Sequence, residues 1–176
     1  MFEKYPRIYV EKSNNNDTRT CDRMPSQKEL LNLSEIHIQD VSHGMDFIAH
    51  QISSAGRNHD FTKITHTKQQ WEDFKTVYDS NNKINFCDLK WCNHHNISER
   101  HHLNDFVPED VNLIDVIEMI VDCVMAGKAR SNDGIIYPIE IKNEVLQKAV
   151  QNTMKLVENQ VVIIPETESE FTSVIR

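Results

Sequence analysis

A chain of 176 residues, 39% hydrophobic and 26% charged, is long enough to bury one sizeable core, and only 4 glycines and 5 prolines favour helices over a loop-rich or all-β fold. Its formal net charge of −8 argues against nonspecific grip on nucleic acid or on an anionic membrane. No apolar run is long enough to span a bilayer, the opening MFEKYPRIYVEKSNNN is too polar for a signal peptide, and Cys21, Cys87, Cys92 and Cys123 form no C-x-x-C pair, so a cytoplasmic protein with free thiols is expected.

Residues 1–25 read as an extended arm in which RIYV is a short strand and SNNNDTRT a polar loop. Ser26 with Glu29 three residues later is a capping-box pattern and opens a helix, and Ser34 offers a second start. His37, Val41, Met45, Ile48 and Ile52 then step along one helical face, and Gly56 ends the helix or opens the next turn. HDFTK follows as a short helix. Thr67 and Gln70 start another, with Trp71, Phe74 and Tyr78 on one face, and DSNNK is a turn. A helix over 85–96 places Trp91 and His94 together, and ISERHHLNDF is irregular. Pro108 opens the most apolar helix, 110–126, which Gly127 ends. ARSNDGIIYP is a loop, 138–158 an amphipathic helix, and VVII a short strand before a polar tail. The expected organisation is all-α: an arm over 1–25, one helical bundle over 26–158, and a tail over 159–176.

Two features point to chemistry. On the apolar helix, Asp115, Glu118 and Asp122 fall on a single stripe. Buried carboxylates repel one another and cost several kcal/mol each to desolvate unless cations or metal ions pair with them, whereas on a solvent face they need no explanation. The second feature is the adjacent pair His59-Asp60. Neighbouring helical residues point about 100° apart, so the two converge only on an object lying between them, such as an ion. His37, 22 residues earlier, would join them if a helix and a turn folded back over that distance.

The segments HIQDVSHGMDFIAHQI, NHDFTK and VDCVMA resemble the HD superfamily of metal-dependent phosphohydrolases. The family's helical His, adjacent His-Asp and distant Asp fall on His37, His59, Asp60 and Asp122, with Val41, Ala49 and Lys63 also matching. HDFTK, WCNH, RHH and EMIVD are similar to an uncharacterised family of small phage and bacterial proteins. The resemblance spans residues 37 to about 126 and implies an HD-domain-like bundle in the cytoplasm, the host's if the chain is phage-encoded. The sequence departs from the family in having AGRN before the pair and Lys63 where one branch has glutamate, and it lacks the glycine-tyrosine-proline motif of another.

This reading assigns His37, His59, Asp60 and Asp122 to one divalent ion (Mn, Fe, Co, Ni or Zn), and His94, His101 and His102 to a second. Asp60, Lys63 and Glu118 are the candidate catalytic residues, and Lys63, Arg57, Arg100, Lys128 and Arg130 the candidate phosphate holders. His43, His50 and His66 read as ordinary residues. The expected activity is hydrolysis of a nucleotide or related phosphate ester by a metal-activated water. Two rival readings stand beside it: an inactive HD-like protein that binds a partner, and a zinc-stabilised module built on Cys87, Cys92, His95 and His101. Oligomerisation through the tail is left open.

Overall fold

The computed structural model describes residues 5–12, 23–130, 134–136 and 138–165. Cys21, the SNNNDTRT loop and the polar tail beyond residue 165 lie outside these. The elements run β1 (Ile8–Glu11), α1 (Gln27–Asn58), α2 (Phe61–Thr65), α3 (Thr67–Asp79), a 3-10 turn (Phe86–Asp88), α4 (Lys90–Ser98), α5 (Leu113–Ala129), α6 (Asn143–Glu158) and β2 (Val161–Ile164). The protein is thus mainly helical, as its composition implies. It divides into two compact units, Met1–His50 with Lys155–Arg176, and Gln51–Met154.

In the first unit the two expected terminal strands pair with each other. β1 and β2 run parallel, with Ile8 opposite Val161 and Val10 opposite Ile163. Parallel strands need a long crossover, and here nearly the whole chain supplies it. Gln160 Nε2 donates to the carbonyls of Tyr5 and Pro6 and ties the strand ends together. α1 starts where the capping box predicts: Ser26 N donates to Glu29 Oε2 at 2.8 Å, and Glu29 N to Ser26 Oγ at 3.3 Å. Ser34 starts nothing, since its hydroxyl back-bonds to Leu30 O within an uninterrupted helix. The face that carries His37 is exposed at His37, Val41 and Met45. Phe47 is the buried residue instead, with the Tyr5 ring edge-on to it at 5.3 Å.

The second unit packs around Leu103, Val111, Val116, Met119 and Ala149. α4 has no side-chain cap at Leu89, and the buried Asp73 of α3 does that work by accepting from Trp91 N at 2.8 Å. The 81–82 turn follows its sequence, with Asn81 and Asn82 left-handed. Pro108 does not open α5. It heads a turn closed by Val111 N to Pro108 O, and Asn112 caps the helix through a capping box with Asp115. Residues 138–142 are likewise outside the helix, and α6 begins only at Asn143. Nor does Gly127 end α5, which continues to Ala129. Glycine is required there because a Cβ would stand 2.7 Å from the carbonyl oxygen of Ile135.

Candidate metal centre

The break between α1 and α2 shows how an adjacent His and Asp can converge. Asp60 caps α2 in the left-handed region, at φ 56°. Regular helical backbone would splay the two side chains; this one residue out of register turns both inward, so that His59 Nε2 lies 3.3 Å from Asp60 Oδ2. Such a conformation in a non-glycine residue is uncommon, and aspartate tolerates it better than most.

Around this pair, side chains from α4, the 99–105 segment and α5 close in. His59, His101 and Asp122 form one group able to hold a metal ion, and Asp60, His95 and His102 form a second. Asp60 links them. Its Oδ2 faces His59 Nε2, while its Oδ1 lies 3.3 Å from His95 Nε2 and 3.6 Å from His101 Nε2. Asp122 Oδ1 is 3.3 Å from His59 Nε2, and the His95 and His102 Nε2 atoms are 3.0 Å apart. Bonds of about 2.1 Å from a tetrahedral or octahedral ion place its ligand atoms roughly 3.0–3.4 Å from one another, the range these pairs occupy apart from His101–Asp60 at 3.6 Å. The donor set therefore fits a divalent cation. A further observation adds to the fit: Asp60 Oδ1 and both ring nitrogens of His101 are buried without a hydrogen-bond partner. Asp60, His95 and His101 are buried, whereas His59, His102 and Asp122 are half-buried, so one side of the centre meets solvent.

A further shell orients the imidazoles. Glu118 Oε1 lies 3.0 Å from His59 Nδ1 and 3.2 Å from His101 Nδ1, which turns both Nε2 atoms toward Asp60 and Asp122. Burial alone would raise the Glu118 carboxyl, but His101 and His59 together outweigh it and hold the group below its ordinary range. His101 is the mirror case: burial lowers it, Glu118 more than reverses that, and it ends above its ordinary value. Burial, then His102, push His95 down to about 4, and burial with His101 lowers His102. The second group thus presents neutral imidazoles, the form that binds metal. Burial raises Asp60, but Lys63, bonded to Oδ2, outweighs it, and the carboxylate stays ionised. Trp91 stacks on His95 at 4.8 Å and an interplanar angle of 13°, fixing the plane of the ring.

The acidic stripe on α5 is buried or half-buried, and each member has its own partner. Asp122 joins the first metal-capable group and Glu118 orients two histidines. Asp115 belongs to a structural lock in which Arg100 donates to both of its oxygens, at 2.7 and 2.9 Å, and also to Asp110 at 2.9 Å. The guanidinium of Arg100, expected to hold phosphate, is engaged by these carboxylates. Arg57 is exposed and donates to Ser53 Oγ, and Lys128 and Arg130 are exposed at the end of α5, where Arg130 lines a groove with Met119, Cys123 and Ile139.

His37 sits exposed on the continuous helix α1 and belongs to neither group. The expected turn between it and His59 does not exist. His94 is also exposed, in ring contact with His66 at 4.6 Å and near Ser98 Oγ, and His95 takes the place assigned to it. The sequence carried a signal for this. His95 stands at i+4 from Trp91, a spacing that brings side chains together on a helix just as the spacing of three to His94 does. His101 and His102 both face the centre, one in each group. Among the described residues neither group includes a cysteine, so the thiolate module has no support in the geometry.

No family model matches the chain, and no curated protein or solved structure matches it either.

Proposed function

We propose that this protein is a metal-dependent phosphohydrolase acting on a nucleotide or a related phosphate ester, with a centre for two divalent ions. The observation that carries the reading is the placement of Asp60, whose Oδ2 lies 3.3 Å from His59 Nε2 and whose Oδ1 lies 3.3 Å from His95 Nε2 and 3.6 Å from His101 Nε2, so that it stands beside imidazoles of both groups. His59, His101 and Asp122 would hold one ion, His95 and His102 the other, and Asp60 would belong to both. Ions held in this way supply a nucleophile at neutral pH and neutralise charge on a phosphoryl group.

The chain's own residues do the remaining work. Glu118 holds two ligand histidines in one orientation and is not itself a ligand in this reading. Lys63, whose ammonium already lies at Asp60, supplies a cation beside the open side of the centre, where phosphate oxygens would arrive. The resemblance of NHDFTK and VDCVMA to HD phosphohydrolases supports the same reaction class, although His37 does not take the place the family pattern gives it.

The test is phosphate release from nucleoside mono-, di- and triphosphates and from a generic aryl phosphate, with Mn²⁺, Co²⁺ or Zn²⁺ and with chelator. Release that needs the ion and disappears in Asp122→Asn is expected. Metal bound at full stoichiometry with no hydrolysis across the panel would overturn the enzymatic reading in favour of a binding protein.

A further inference from the structure

We infer that Thr62 and Glu99 are positioning residues that fix the tautomer of His95, leaving its Nε2 lone pair free for a divalent cation; the inference rests on the metal-centre reading above. Neither residue offers an atom to the two metal-capable groups. Their role follows from counting protons along one chain of contacts.

Thr62 Oγ1 lies 2.5 Å from Glu99 Oε1 and 2.6 Å from His95 Nδ1. A hydroxyl has one proton and cannot donate to both. Glu99 Oε1 also receives the backbone N–H of Thr62 at 2.8 Å, so this oxygen is acting as an acceptor, as an ionised carboxylate must. The hydroxyl proton therefore goes to Glu99. The threonine oxygen is left as acceptor, and the contact at 2.6 Å requires that His95 Nδ1 carry a hydrogen. A neutral imidazole has one N–H, so Nε2 is bare.

That result is unfavourable in a protein without a cation at this point. His95 Nε2 faces Asp60 Oδ1 at 3.3 Å and His102 Nε2 at 3.0 Å. A hydrogen on Nε2 would have been the natural donor to the buried, otherwise unpartnered Asp60 Oδ1. The relay places the hydrogen on the other side and turns a lone pair toward an anionic oxygen. A positive charge between them makes the arrangement favourable. Glu118 performs the same service for His59 by direct contact, whereas His95 is reached through the hydroxyl of Thr62, which stands on α2 two residues past Asp60.

The test uses the full-length chain with two readouts. The first is the ring ¹⁵N spectrum of His95 in protein stripped by chelator, assigned by its loss in His95→Gln. The second is Zn²⁺ affinity, by competition with a chromophoric chelator. In the parent, Nδ1 should be protonated and Nε2 bare. Thr62→Ser, which keeps the hydroxyl, should preserve this and bind Zn²⁺ within about threefold of the parent. Thr62→Val, nearly the same shape, should release the tautomer and weaken Zn²⁺ binding about 10- to 100-fold, and Glu99→Gln should weaken it in the same direction. A purely structural role for Thr62 would move the melting temperature but not the tautomer. An Nε2-protonated or doubly protonated His95 in the parent, or a Thr62→Val variant with parental spectrum and affinity, would overturn the inference. Failure of the parent to bind Zn²⁺ at all while its tautomer is as expected would instead count against the metal-centre reading.

Discussion

The Nε2 atoms of His95 and His102 face each other at 3.0 Å across the second metal-capable group. Two bare nitrogens at that separation repel; a proton on one, or an ion between both, makes the contact attractive. With His95 low, at about 4, and His102 also lowered, both rings are neutral at neutral pH, and the one hydrogen of His102 can bridge the gap until an ion displaces it. In this reading an ion occupies the gap in the loaded protein. His95→Ala and His102→Ala should each lose one equivalent of metal and keep the other, and His101→Ala should lose the opposite one. Elemental analysis of the purified variants counts the equivalents.

The apoprotein's response to acid follows from His95. Its folded value is about 4 against an ordinary 6.5, so between those limits the unfolded chain binds the proton and the folded chain does not. Stability must fall as pH drops from 6.5 toward 4, and the contribution is nil above 6.5. Urea midpoints measured in chelator should show His95→Gln less sensitive to pH than the parent across that window, the difference cancelling the carboxylate terms common to both.

Arg100 should matter for stability and not for metal. Replacing it by alanine leaves the buried Asp115 carboxylate with backbone and cap partners but no counter-charge, a loss on the order of 3 kcal/mol. Folded Arg100→Ala should retain the parental metal content. Loss of phosphate binding with unchanged denaturation would restore the role its sequence position suggested.

Gly127→Ala tests the packing of α5 against residues 135–136. The added methyl meets the Ile135 carbonyl at 2.7 Å and Ile136 Cα at 3.3 Å, backbone atoms that do not move easily. Overpacking of this kind costs about 1–3 kcal/mol, against roughly 1 kcal/mol gained from replacing glycine inside a helix. A lower urea midpoint is expected.

Much of this was legible in the sequence because it is local. The Ser26–Glu29 box, the Asn81–Asn82 turn, both short strands and the helical course of α3 and α5 depend on neighbours within a few residues. The stripe on α5 was readable for the same reason: carboxylates three and four apart on an apolar helix share a face whatever lies opposite. What lies opposite was not readable. Arg100 and Lys63 are both cations beside ligand segments, yet one is spent on Asp115 and the other sits at Asp60. His37 misled because its apolar neighbours Val41 and Met45 implied a buried face that the structure leaves exposed. His95 was passed over for His94 because α4 begins at Lys90, later than the sequence suggested, and its start depends on Asp73, a residue 18 positions from the bond it makes.

The central claim is that Asp60 is shared by two ions that perform hydrolysis, and metal content in Asp60 and Lys63 variants tests it most directly. The parent should carry up to two equivalents of divalent metal and release phosphate. Asp60→Ala should lose both equivalents and all turnover, and His59→Ala should lose one equivalent and turnover with it. Lys63→Ala should keep the metal and lose turnover, because its proposed partner is the phosphate. Full metal content in Asp60→Ala, measured on folded protein, would contradict the account.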